Sequence, residues 1–120
     1  MNPSISTVTL SVEGHQFAID LDDNETAAAF AEMLPLQTEM SELNGNEKYV
    51  YLDSSLPTNA SNPGTIEAGD VMLYGNNCLV VFYESHATSY AYTRIGKIAD
   101  ASGLAAVVGS GSISASFAAA

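Results

Sequence analysis

The sequence predicts a mainly β chain: a closed eight-stranded barrel carrying two short helices, in a single domain spanning residues 1–120. Three observations carry that expectation. Short stretches of alternating apolar and polar residues recur along the whole chain, with Gly, Pro and Asn turn signals between them. Cys78 to Tyr83 is a continuous apolar run of strand length, as expected of a strand covered on both faces. Closing the sheet removes the unpaired edges that such a strand would otherwise expose.

From Ser6 to Val12 apolar and polar residues nearly alternate, which predicts a half-buried strand. Glu13-Gly14-His15 reads as a hairpin turn, and the chain returns through Phe17, Ile19 and Leu21. Asp22 followed by Glu25 fits a capping box, and Ala27, Phe30, Ala31 and Leu34 then recur at helical spacing until Pro35 stops the segment. A third strand is expected over Leu36 to Leu43. Asn44-Gly45 is the strongest hairpin signal in the chain, and Glu47 to Leu52 follows as the fourth strand. Asp53 to Thr65 holds Pro57 and Pro63-Gly64 with almost no large apolar residue, so it reads as a long loop, either a plain connection or a lid. Val71 to Tyr74, Cys78 to Tyr83 and Ser89 to Ile95 are the next expected strands. Ser102 or Asp100 is suited to cap a short helix with Leu104, Val107 and Val108 inward and Gly109 at its end; Ser112 to Phe117 then alternates as the last strand.

Composition excludes several classes. The 120 residues are 47% hydrophobic and 14% charged, unlike a disordered chain, and a chain of this length buries roughly two-thirds of its unfolded surface. Three Lys and Arg stand against 14 Asp and Glu, a net charge of -11. No basic track for nucleic-acid phosphates can be built, and an anionic membrane would repel the chain. No apolar run approaches the ~20 residues of a spanning helix. The one cysteine, Cys78, excludes an intramolecular disulfide and a zinc site of several thiolates, which points to the cytoplasm. Met1 to Thr7 lacks the basic residue and apolar run of a signal or transit peptide.

Charge and aromatic residues are unevenly placed. No Lys or Arg precedes Lys48, and all six tyrosines fall between Tyr49 and Tyr92. Period two puts Glu47, Tyr49 and Tyr51 on one face of a strand, and Tyr90, Tyr92 and Arg94 on one face of another. If the two faces meet, they form a pocket with apolar ring walls and a few convergent polar groups. Arg94 is the best single candidate for chemistry, because its planar fork holds a carboxylate or peptide carbonyl as neither lysine does. The plainer reading is that the tyrosines stiffen the sheet and Arg94 is a salt-bridge partner.

Other constellations fail. His15, His86 and Cys78 show no metal-ligand spacing, so no metal and no cofactor is implied. Asp20, Asp22 and Asn24 imitate the start of a calcium loop, but Glu25 and Ala31 stand where glycine and glutamate are required. There is no Gly-x-Ser-x-Gly elbow and no phosphate-cradling Gly-x4-Gly-Lys run, and Gly109-Ser110-Gly111 reads as a turn.

The order of elements resembles cyclophilin, and more closely the small bacterial cyclophilin-like proteins with shortened loops. The opening TVTLSVEGHQFAIDLDDNETAAAFAEML is similar to the cyclophilin start, and NGNEKYVYL, PGTIEAGDVMLYGNNCLVVFY and SYAYTRIGKI are similar to segments of the bacterial subgroup. The resemblance implies the eight-stranded barrel capped by two helices. Enzymatic cyclophilins carry a Phe-His-Arg-x-x-Pro strand and a Gln-Gly-Gly turn, whose arginine polarises the prolyl amide nitrogen. The corresponding stretch here, Gln37 to Leu52, has no arginine, no proline and no Phe-His pair, and the chain has no Trp. No family catalytic residue therefore transfers, and Arg94 lies on a different strand.

The leading expectation is a binding module whose pocket, lined by Glu47, Tyr49, Tyr51, Tyr90, Tyr92 and Arg94, holds a small polar molecule or a peptide. The alternatives are a weak peptidyl-prolyl isomerase built on Arg94 and the tyrosine rings, and a structural or interaction domain without a pocket.

Overall fold

The computed structural model describes residues 6–120, so most of the stretch read for a leader lies outside the described residues. The chain runs β1 (Thr7–Val12), β2 (His15–Leu21), α1 (Glu25–Glu32), β3 (Leu36–Leu43), β4 (Glu47–Tyr51), β5 (Thr65–Ile66), β6 (Asp70–Tyr74), β7 (Cys78–Phe82), β8 (His86–Ala87), β9 (Thr93–Ile98), α2 (Leu104–Val108) and β10 (Ile113–Ala119). Eight strands close into a barrel in the order β1-β10-β3-β4-β7-β6-β9-β2, and β5 pairs with β8 in a separate two-stranded piece. The barrel is antiparallel throughout.

Period two sorts the side chains. Val8, Leu10 and Val12 of β1, Val71 and Leu73 of β6, and Leu79 and Val81 of β7 point into the barrel. The helices close its ends. Because α1 joins the end of β2 to the start of β3, and α2 joins the end of antiparallel β9 to the start of β10, they lie at opposite ends. Phe30 of α1 meets Phe117 of β10 edge to face, ring centres 5.7 Å apart, and Leu104 and Val108 of α2 are buried in the same core.

Two close features set the register. Asn44 and Gly45 both take positive φ (58° and 69°), as the hairpin signal requires, and turn β3 into β4. Gly96 faces β2 so closely that a Cβ there would stand 2.5 Å from the Asp20 carbonyl oxygen, so only glycine lets β9 pair with β2.

Several expectations are corrected. The cap of α1 is Asn24, whose Oδ1 accepts from Ala27 N–H at 2.7 Å; Asp22 is instead engaged by Arg94. The cap of α2 is Gly103, with no side-chain bond. Asp100 accepts from the Ser102 N–H and hydroxyl just before it, and these bonds hold its carboxyl below the usual range. His15 begins β2, paired with Val12, rather than sitting in the turn.

The strand expected from Ser89 starts at Thr93 and continues to Ile98. Tyr90 N–H is taken by the Thr88 hydroxyl, and Tyr92 pairs through a single bridge with Ser61, so residues 89–92 do not join the ladder. That bridge also ties down the Asp53 to Thr65 loop. Leu56 is buried, Thr26 Oγ1 donates to the Pro57 carbonyl at 2.6 Å, and Asn59 N–H donates to Thr93 Oγ1 at 3.0 Å. These contacts anchor the segment to α1 and β9.

Candidate functional site

The outer face of β4, β7 and β6 is apolar as well as the inner one. Met72 of β6 and Cys78, Val80 and Phe82 of β7 point outward and form a second buried cluster with Ile66 and Tyr92. The full apolar run of β7 is thereby explained: its odd positions face the barrel and its even ones this outer layer. The register Glu47↔Phe82, Tyr49↔Val80 and Tyr51↔Cys78 sets the outward side chains of β4 beside that layer.

A groove of about 300 Å³ opens there. Glu47, Tyr49 and Tyr51 line one side, and Tyr74, Tyr90 and Tyr92 the other, over a floor of Cys78 and Val80. Tyr49 and Tyr51 stand nearly perpendicular (79°, centres 5.9 Å apart), as do Tyr74 and Tyr90 (87°, 6.0 Å). Tyr92 touches both Tyr74 (5.6 Å) and Phe82 (5.5 Å), which locks it into the wall. Edge-to-face pairs of this kind hold the rings in place, each covering one face of one ring.

Glu47 is only 8% exposed, and no hydrogen bond to its carboxylate is formed among the described residues. Burial pushes its carboxyl up, partly offset by the nearby His86, and Glu42 adds to the rise. Cys78 is inert as a nucleophile: burial, and then the charge of Glu47, push its thiol up to about 11. Burial likewise raises the Tyr92 phenol, so its hydroxyl keeps its proton at neutral pH.

Five of the six expected site residues thus line one groove, and Arg94 does not. Its Nε bonds Asp22 Oδ2 at 2.9 Å, and the pair lines a separate polar depression of about 570 Å³ beside the start of α1, with Thr26, Pro57 and Asn59. The two depressions share no lining residue. Arg94 is drawn away by Asp22, which follows β2 and stands next to β9 in the barrel. Tyr74 was missed. The signal for it was the period-two pair Met72 and Tyr74, which the short turn to Cys78 places beside the outward face of β7.

A third polar group is internal. Lys48 is wholly buried, and its ammonium donates to Glu42 Oε1 (2.8 Å) and to the Gly109 and Gly111 carbonyls (2.9 and 2.5 Å). The ammonium also lies 5.1 Å from the Tyr83 ring centre. Burial pushes the Glu42 carboxyl up, but bonds from Lys48, Tyr83 and Gly45 together outweigh it and hold the group below the usual range. Burial, then the bond to Glu42, push the Tyr83 phenol up to about 12. These residues pin the α2 end of the barrel.

Among the described residues no group of three or more His, Cys, Asp or Glu side chains can hold a metal ion, and no helix is long and apolar enough to cross a membrane.

Comparison with curated proteins gives no match. A hypothetical protein of Archaeoglobus fulgidus, solved in solution, has a similar fold: TM-score 0.65 over 100% of both chains at 20% identity. Residues 10–118 match the Cyclophilin-like family, and the chain belongs to that family.

Proposed function

We propose that the chain is a binding module that holds a small polar molecule or a peptide segment in the tyrosine groove outside β4, β7 and β6. One observation carries this reading. The large apolar side chains left exposed among the described residues are Leu43, Tyr51, Tyr74 and Tyr90, and all four line this one groove. Scattered exposed apolar residues need no explanation, whereas their concentration at one concave place marks an interaction site. Beyond Tyr74 and Tyr90 the surface continues as a shallow shelf over Gly75, Asn76 and Ala91, which suits an extended peptide.

The isomerase reading has less support. It needs a donor to the prolyl nitrogen beside an apolar ring surface, and Arg94 and the tyrosines stand in separate depressions.

The test is a melting-temperature screen against small metabolites and short peptides. A ligand at a hundred times its dissociation constant adds about 2.7 kcal/mol of stability. Hits are expected to lose their effect in Tyr74→Ala and Tyr90→Ala and to keep it in Arg94→Ala. Hits that depend on Arg94 and ignore both tyrosine variants would move the site to the other depression.

A further inference from the structure

Resting on that reading of the groove, we infer that its ligand is an organic cation, an ammonium or guanidinium group that pairs with the Glu47 carboxylate between the tyrosine rings. Glu47 lines the groove, is 8% exposed and accepts no bond from the described residues, while its carboxylate oxygens, unlike the fully buried Asn46 Oδ1, stay open to the groove. Such groups ordinarily find a basic partner in their own chain. Here every Lys and Arg is already engaged: Lys48 with Glu42, Arg94 with Asp22, and Lys97 with Glu67 and Asp70. His86 acts on Glu47 only through space, its Nδ1 bonding the Glu84 carbonyl and its ring resting on Phe82. With no Lys or Arg left to pair with Glu47, a cationic ligand is the partner its position favours.

The walls suit the same ligand. Tyrosine faces carry negative quadrupole charge, and a cation within ~6 Å of a ring centre is attracted, more so where water is excluded. Paired rings at 79° and 87° stand on either side of Glu47's groove and form corners rather than a flat stack. No Lys or Arg lines the groove, so an anion would meet Glu47 without compensation. A volume of about 300 Å³ accommodates a group the size of a lysine side chain. The net charge of -11 adds a long-range field that concentrates cations near the surface.

The test is a backbone-amide NMR titration with n-butylammonium, neutral N-butylacetamide, butyrate and the capped tripeptide acetyl-Gly-Lys-Gly-amide. It is run on the wild-type chain, on Glu47→Gln, and on Glu32→Gln, which removes the same charge from the exposed end of α1. Both cations are expected to shift Tyr49, Tyr74 and Tyr92, the neutral and anionic probes to bind far more weakly, and Glu47→Gln to weaken the cations about tenfold or more. Glu32→Gln is expected to bind as wild type. Tighter binding of the tripeptide than of butylammonium assigns the cation to a peptide, and the reverse assigns it to a free amine. If the neutral probe binds as well as the cations, or Glu47→Gln and Glu32→Gln behave alike, the cation inference is wrong and the groove remains a binding site. If all four probes leave the groove unshifted, both readings fall.

Discussion

Lys48 Nζ lies 2.8 Å from Glu42 Oε1 with the lysine wholly buried, and together they join β4, β3 and the turn after α2. Lys48 alternates with Glu47 and Tyr49, so it faces inward where they face outward. Removing one partner of a buried pair strands the other, which costs about 3–5 kcal/mol. Lys48→Met is therefore expected to lower unfolding free energy by about 3 kcal/mol, near the low end because Glu42 retains some solvent. Urea unfolding measures it. A loss within ~0.5 kcal/mol, the range of ordinary surface changes, would remove the bond network from the account.

The two neighbouring glutamates have opposite effects on acid stability. Glu42 titrates lower in the folded chain, so its contribution is present above the unfolded value of ~4.3 and is lost as pH falls through the folded value. Glu47 titrates higher when folded. The folded chain then binds its proton more tightly, and stability falls as pH rises from the unfolded value through the folded one. The groups around it that enter this balance are His86, Glu42 and the Cys78 thiol. Glu47→Gln should melt a few degrees higher than wild type at pH 7 and show no gain near pH 4; Glu42→Gln should melt lower at pH 7. A melting profile in which Glu47→Gln is destabilised at pH 7 would show that the carboxylate has a partner inside the chain.

Gly96→Ala places a methyl group 2.5 Å from the Asp20 carbonyl oxygen, a backbone atom that cannot swing aside. The expected loss is about 1–3 kcal/mol from forced overpacking at the β2–β9 seam. Gly111→Ala, with open space around it, serves as the comparison and should change stability by less than ~0.5 kcal/mol. Equal thermal denaturation of the two variants would contradict the close approach.

Much of this framework was legible in the chain, and the failures have physical causes. Alternation, turn signals and one continuous apolar run found the eight barrel strands, which share a single continuous core. It did not find β5 and β8, because two residues carry no period. The start of β9 was misplaced: Ser89 to Tyr92 has strand-like composition, but its backbone bonds go to Thr88 and Ser61. For the site, period two on β4 brought Glu47, Tyr49 and Tyr51 to one face, while Tyr90 and Tyr92 reach the same groove from residues outside the β9 ladder. Arg94 follows no such local pattern. Its placement depends on an ion pair with Asp22 across 72 residues, which no local pattern encodes.

Arg94→Ala tests that separation. The pair is half-exposed, so its loss should change stability by about 0–1 kcal/mol, and binding of any groove ligand should be unaltered. Exchange spectroscopy on an Ala-Pro peptide should show no acceleration of cis-trans exchange by the wild-type chain. Acceleration abolished by Arg94→Ala would restore the isomerase reading.

The most direct measurement is the position of a bound cation. Tetramethylammonium, which has no N–H to donate, isolates the contribution of charge and ring faces. Intermolecular NOEs from its methyl protons to the ring protons of Tyr49, Tyr74 and Tyr92 are the predicted result, diminished in Glu47→Gln. NOEs to Thr26 and Thr93 in the Asp22–Arg94 depression, or none from the tyrosine rings at saturation, would contradict the account.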